Sequence, residues 1–249
     1  GELAKLLGET NKTRQDETKE AVDHAIGMLD ENNLPDLIVV SDAGYHPGVI
    51  GLIAGKLTEK YHRPSIAISV GETESKASCR SVSGFHITDH LRQYSDLLVA
   101  VGGHAAAAGF TISNSKLPEL LKLLNETKID PKFLKKTQRV DLEIPLSTIN
   151  YELLAKIKEL EPYGLGNPSP VFSTPGVEVS DVRPVGKEGK HFKFKAGGID
   201  AIWFSANSKM LTPNSLCNII YQIEENNFNR NSSLQLNVRD IMSHGSETL

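Results

Sequence analysis

The nine residues Val101-Gly102-Gly103-His104-Ala105-Ala106-Ala107-Ala108-Gly109 constrain this chain more than any other stretch. Glycines let a backbone turn with φ > 0 and let a ligand come close. The alanines let a neighbouring element or a substrate approach without obstruction. His104 is the one polar side chain in the run, so site-specific work there falls to it. Consecutive backbone N–H groups in a glycine-rich turn make an anion-binding nest, which suits a phosphate or nucleotide. The plainer reading is a tight turn before a closely packed strand, and the run alone does not separate the two.

The chain has 249 residues, enough for one large or two ordinary domains. An apolar fraction of 39% supports a packed core, and a charged fraction of 23% argues against wholesale disorder. The formal net charge is −4, so any phosphate contact must come from local clusters and not from the overall field. Cys79 and Cys217 are far apart and lack the spacing of a zinc site. Two lone thiols suit a reducing compartment, and a cytoplasmic protein is expected. No apolar stretch approaches the about 20 residues of a membrane span, and the N-terminus carries no signal-peptide pattern.

The first half alternates helix and strand. Ala21, Val22, Ala25, Ile26 and Leu29 recur at helical spacing, which predicts a helix over Asn11–Asp30, with Leu3, Leu6 and Leu7 in a preceding turn. Asp36–Val40 and Ser65–Val70 read as strands around a helix whose apolar face is Val49, Ile50, Ile53, Ala54 and Leu57. Pro47 sits where the first turn of that helix favours it. The succession predicts a parallel βαβ unit. A helix over Ile87–Tyr94, a strand over Phe110–Ile112 and a helix over Leu117–Leu124 follow. Together these make an α/β domain with a mixed sheet, residues 35–130, behind a helix over 1–34.

The pattern changes after Pro131. One amphipathic helix, Asn150–Leu160, precedes a segment dense in proline and glycine, Glu161–Pro170. Five short strands are then predicted: Val177–Val182, His191–Lys195, Ala201–Phe204, Asn218–Ile223 and Leu234–Val238. Five strands without a long helix between them point to a mostly β barrel of the OB type over 131–249, with a five-stranded sandwich as the competing fold.

Three segments of the first domain point to one task. Tyr45-His46-Pro47-Gly48 places His46 just before a helix N-terminus, where free N–H groups favour anions; the alternative is a simple capping role. On a strand, Ser78 and Arg80 share a face, and a hydroxyl beside a guanidinium is a good phosphate clamp. An ordinary exposed arginine is the alternative. The third segment is the run with His104, whose ring can contact a phosphate or stack on a base. Tyr45 either stacks on a base or packs. In the second domain, Lys190-His191-Phe192-Lys193-Phe194-Lys195 alternates cationic and aromatic residues, and Trp203-Phe204 follows. Lys193 and Lys195 then track a nucleic-acid backbone, while Phe192 and Phe194 either stack on bases or fill the core, the core being favoured.

Four motifs stand in order: Tyr45–Gly51, His62-Arg63-Pro64, Ser78-Cys79-Arg80-Ser81-Val82-Ser83-Gly84-Phe85-His86 and Gly102–Gly109. Together they resemble the DHH-associated domain of RecJ-type single-strand-specific DNA exonucleases. Asn11–Gln15 lies in a helix similar to the one that joins the two catalytic lobes of that family. Glu161–Phe172 resembles the entry to the family's OB domain. The resemblance implies hydrolysis of phosphodiester bonds from the 5′ end of single-stranded DNA, in repair and recombination. It implies Mn²⁺ or Mg²⁺ held by an N-terminal DHH domain. It also implies that Ser78 and Arg80 bind phosphate near the 5′ end, that Gly102, Gly103 and His104 line the substrate side of the cleft, and that His46 lies close by.

The sequence also departs from the family. No Asp-His-His tripeptide occurs; Asp23-His24 and Asp89-His90 are dipeptides, read as solvated helix faces. The expectation is a portion of a longer enzyme that binds no metal itself and is inactive alone. Its expected partners are single-stranded DNA, a DHH domain of the same protein, and repair or replication proteins, with no membrane. Two other readings remain: a DHH-superfamily phosphodiesterase acting on short RNA or cyclic dinucleotides, and a non-catalytic single-strand-binding module.

Overall fold

The structure is a computed structural model that describes residues 1–186, 189, 191–204, 211–228 and 231–243. It divides into two units, Gly1–Lys136 and Thr137–Leu249, each built on a mixed sheet with few helices. No helix among the described residues is long and apolar enough to cross a membrane.

The first unit opens with α1 (Glu2–Gly27). This helix starts well before the predicted Asn11, and no separate turn holds Leu3, Leu6 and Leu7. Residues Gly1–Glu17 are exposed throughout, so no apolar period marks that part. Helix-favouring residues and local pairs such as Lys5–Glu9 sustain it instead. Only the last turns pack, through the fully buried Ala25.

A five-stranded sheet follows: β1 (Ile38–Asp42), β2 (Ser65–Val70), β3 (Glu74–Arg80), β4 (Leu98–His104) and β5 (Ala107–Ser113), in the order β1-β2-β3-β5-β4. β1 and β2 are parallel around α2 (Ile50–Tyr61), as the βαβ pattern predicts, and the other pairs are antiparallel. Pro47 lies before α2, because the chain turns through His46–Gly48 and Val49 is the N-cap.

Alternation sorts the sheet residues between two faces. Ile66, Ile68, Ala77, Cys79, Ala108, Phe110 and Ile112 point to one side. There they pack under α3 (Ile87–Arg92) and α4 (Leu117–Asn125), through Ile87, Leu91, Leu117, Leu120 and Leu124. Burying each such isoleucine or leucine contributes about 1.5–3 kcal/mol. On the other side α2 covers β1, β2 and part of β3, with Ile53, Ala54 and Leu57 over Ile38, Val40 and Ala67. A groove opens over β5 and β4 on that same side.

The glycine run holds the expected tight turn before a strand, at Ala105–Ala106, but most of it is strand. It forms the end of β4 and the start of β5, a hairpin with Ala105 and Ala106 at its tip. Gly102 pairs with Gly109, Gly103 with Ala108 and His104 with Ala107. The tip is tied down by Ala105 O, which accepts from Ile87 N, and by Ala106 O, which accepts from Ser81 N.

The second unit contains β6 (Leu142–Glu143), α5 (Tyr151–Lys158), β7 (Phe172–Val185), β8 (His191–Ala196), β9 (Ile199–Trp203), β10 (Leu216–Phe228) and β11 (Asn231–Ser243). The N-cap of α5 is Asn150, whose side chain accepts from Leu153 N. The five predicted strands are all present, but β7, β10 and β11 run much longer than predicted. Polar residues sit on their outer positions, and register shifts at Ser180/Arg183 and Ile220/Tyr221 interrupt the alternation. The sheet order is β10-β11-β9-β8-β7-β6, and β10 also pairs with β7. Phe194, Trp203, Ile219, Tyr221, Leu236 and Val238 form its core with Leu154 and Ile157 of α5.

Candidate functional site

The groove over β5 and β4 has a volume of about 760 Å³. Two cross-strand rows build its floor and a third, that of Arg80, borders it on the same face, since residues paired across a ladder project to the same face. Arg80 is in register with Ala107 and then His104. Ser78 is in register with Gly109 and then Gly102, and Lys76 with Thr111 and then Ala100. Cations and a hydroxyl therefore come from β3, while β5 and β4 contribute mostly small residues that leave the space above open.

α2 supplies the wall through Pro47, Gly48, Ile50 and Gly51. A Cβ on Gly51 would stand 3.2 Å from Ser78 Oγ and 3.3 Å from Arg80 Nη2, so glycine makes room for the pair. No side chain caps this helix, and no acidic residue sits in its first turn. Val49 N and Leu52 N donate to His46 O and Val49 O, which leaves the N–H groups of Ile50 and Gly51 at the positive end of the dipole.

Arg80 Nη1 donates to Ser78 Oγ at 3.3 Å and to Cys79 O at 2.9 Å. Because Ser78 Oγ accepts there, its own hydrogen is free to donate to a ligand. The structure thus joins Ser78 and Gly102 along one groove; Arg80 is outside its lining but reaches its edge through Ser78 Oγ, and His104 is exposed at the end of the Arg80 row. Gly103, one position on, alternates away from that face. Its φ is +144°, and a Cβ there would meet Ala107 O at 2.4 Å.

His46 is not part of the groove lining. It is exposed, and its Nδ1 accepts from Gly48 N at 3.0 Å, bracing the turn into α2. It borders a separate hollow beside α1 with Glu17, Glu20, His24 and Asp42. Tyr45 is buried, with its hydroxyl 3.1 Å from His24 Nδ1, so it packs and does not offer its ring to a base. Burial, and then the Asp42 carboxylate, push its phenol above the usual range.

Two other readings of the sequence change. His90 is not on a solvated face: it packs between Phe85 and Tyr94 beside Thr127, and burial lowers its pKa. Lys76 is a groove residue that sequence reasoning misses, although its place two residues before Ser78 puts it on the same face. The alternation that pairs Ser78 with Arg80 reaches it in one more step.

In the second unit, Lys193 and Lys195 line a hollow of about 500 Å³ with Arg183, Asp181 and Asp200. Lys195 Nζ lies 2.9 Å from Asp200 Oδ1, so its charge is partly answered within the protein. Phe194 is in the core and Phe192 packs against it, as favoured. Trp203 is buried, while Phe204 is exposed with its edge toward His191. Lys190 lies outside the described residues.

Among the described residues no group of three or more His, Cys, Asp or Glu could hold a metal ion. The divalent ions that the family resemblance implies therefore find no ligand set in these residues. Both cysteines are buried and free, and burial pushes the Cys79 thiol up to about 12. The first-unit groove is equipped to hold an anion.

Comparison with known proteins agrees with this construction. Residues 34–129 match the DHHA1 domain family, and residues 140–240 match the family described as the RecJ OB domain. The chain is 32% identical over 252 residues to the single-stranded-DNA-specific exonuclease RecJ of Bacillus subtilis, covering 96% of this chain and 32% of that protein. It is 31% identical to the Haemophilus influenzae protein of the same name, over 94% of this chain and 44% of that one. The chain thus spans about a third to under a half of these relatives. The fold matches the crystal structure of RecJ in complex with Mn²⁺ from Thermus thermophilus, with TM-score 0.79 at 23% identity, over 98% of this chain and 36% of that one. By both of its domains and along nearly its whole length, this chain belongs to the RecJ family of single-stranded-DNA-specific exonucleases.

Proposed function

We propose that this chain is the substrate-holding portion of a single-stranded-DNA-specific 5′→3′ exonuclease that acts in DNA repair and recombination. The observation that carries the reading is the Ser78–Arg80 pair at the edge of a groove, lined by Ser78, from which β5 and β4 have removed bulk. Arg80 and Ser78 clamp a phosphate at the 5′ end, with the N–H groups at the start of α2 facing the same anion. Gly102 lets the strand lie close to the sheet, Gly103 keeps β4 in the shape that permits it, and His104 borders the substrate. His46 serves this arrangement by bracing the turn that places Pro47 and Gly48 in the wall.

The domains follow as a linking helix over 1–34, a DHH-associated substrate-binding domain over 35–130 and an OB-type domain over 131–249. We infer that the pairing of β10 with both β11 and β7 closes the second sheet as a barrel. Lys193, with Lys195 and Arg183 beside it, then tracks the sugar–phosphate backbone electrostatically. Mn²⁺ or Mg²⁺ chemistry, which activates water and stabilises the leaving oxygen, belongs to a DHH domain of the same protein. Repair or replication proteins are the remaining partners. Buried free thiols support a cytoplasmic setting.

The test is the affinity of the purified chain for 5′-phosphorylated and 5′-hydroxyl oligothymidylate, followed by fluorescence anisotropy at low salt. Arg80→Gln should weaken the phosphorylated strand about tenfold and the hydroxyl strand little, the size of a lost charge-assisted contact. Equal binding of both strands to both proteins would refute the clamp. Mn²⁺-dependent degradation of single-stranded DNA by the same preparation would overturn the division of labour.

A further inference from the structure

The groove floor carries a second pairing of a cation with a hydroxyl, one pleat from the clamp. Lys76 precedes Ser78 by two residues on β3, projects to the same face and lines the same groove. Its register partners on the flanking strands are Ser69 and Thr111, both uncharged, and Thr111 also lines the groove. Lys76 is exposed, so its ammonium reaches the space above the floor.

We propose that Lys76 and Thr111 form a second phosphate subsite, which takes the first internal phosphodiester of a strand whose terminal phosphate lies at Ser78 and Arg80. Two residues along a strand advance about 6.7 Å. That step is comparable to the separation of adjacent phosphates in an extended single strand, so a backbone running along β3 meets the two cation–hydroxyl pairs in succession. Nothing bulky stands beside the path: Gly109 and Gly102 flank the first row, and Ala100 ends the second. The residue types suit the two anions. A terminal phosphate carries up to two charges and presents an open fork of oxygens, which matches the planar guanidinium of Arg80. An internal phosphodiester carries one charge and varies in orientation, which suits the compact, rotatable ammonium of Lys76. The pair thus favours a strand over a mononucleotide.

This inference rests on the clamp described above, and one experiment separates the two. NMR titration of the whole chain compares thymidine 5′-monophosphate, which carries only a terminal phosphate, with 5′-phosphorylated thymidine dinucleotide, which adds one internal phosphodiester. The dinucleotide should bind more tightly to the unaltered chain. Lys76→Gln should remove about fivefold from the dinucleotide and leave the monophosphate unchanged, with Lys76→Arg restoring the difference. For a longer strand, Lys76→Gln should flatten the dependence of log affinity on log salt by about 0.7. Loss of monophosphate binding in Arg80→Gln, with Lys76→Gln behaving as the unaltered chain, would overturn the subsite and keep the clamp. No effect of Arg80→Gln on either ligand would overturn the clamp and the subsite with it. A dinucleotide that binds no better than the monophosphate would overturn the subsite alone.

Discussion

Adjacent glycines in β4 should respond to the same substitution in opposite ways. Gly103 has φ +144°, and an added Cβ would lie 2.4 Å from Ala107 O and 2.5 Å from Ala108 Cα. Both atoms are backbone of the partner strand, so no side chain can swing aside. Forcing alanine into this region costs about 1–3 kcal/mol of strain. Relieving the contact pushes β4 off β5 at Gly103↔Ala108 and His104↔Ala107, and each hydrogen bond lost there is worth about 1 kcal/mol. Lower unfolded-chain entropy returns about 0.4–1 kcal/mol. Gly103→Ala should therefore destabilise the first unit by about 3 kcal/mol. Gly102 meets nothing within 4 Å, so Gly102→Ala should leave stability unchanged or raise it by about 0.5 kcal/mol. Its methyl would enter the groove at the far end of the Ser78 row, across Gly109 from Ser78, and single-strand affinity should fall severalfold.

Urea unfolding tests this with two signals. Far-UV circular dichroism follows both units, whereas fluorescence follows Trp203, the one tryptophan, buried in the second unit. With a slope of about 2 kcal/mol per molar urea, Gly103→Ala should lower the first-unit midpoint by about 1.5 M while the Trp203 transition stays in place. A Gly103→Ala chain that unfolds at the original urea concentration would refute the argument from backbone crowding. A Gly102→Ala chain that binds DNA as before would refute the placement of the strand over that row.

Gly51→Ala should weaken binding of 5′-phosphorylated single strands severalfold with a stability change below about 1 kcal/mol, because its methyl would press on Ser78 Oγ and Arg80 Nη2; anisotropy and thermal melts check both parts. Asp200→Asn should raise single-strand affinity and steepen its salt dependence by up to about 0.7 in log–log slope, since it frees Lys195; an unchanged slope would count against the second-unit surface. Burial depresses the His90 pKa, so the stability it supports is present above about pH 6.5 and is lost as pH falls through the folded value. Hydrogen-exchange protection factors around α3 and the hairpin tip, corrected for the intrinsic pH dependence of exchange, should fall below that pH, and less so in His90→Gln.

Much of the local structure is legible because it is written in side-chain periodicity. Ser65–Val70 is a strand with the predicted ends, and Asn150 caps the helix that follows it. The glycine run misleads for the same reason inverted. Glycine and alanine carry no alternating signal, so β4 and β5 look like a turn until their register is seen. The exposed start of α1 also lacks an apolar period, and its helix is therefore longer than predicted.

The order of amino acids specifies which chemistry is available: a guanidinium and a hydroxyl at strand spacing, glycines that admit close approach, and the ordered motifs of one family. It does not specify which of these groups meet. The folded chain alone shows that Gly102 and Gly109 lie in one row with Ser78, that Lys76 extends the row of groove-facing residues on β3, and that His46 braces the wall from outside the groove. The reason is register. Cross-strand pairing brings together residues tens of positions apart, and neither composition nor local spacing carries that information.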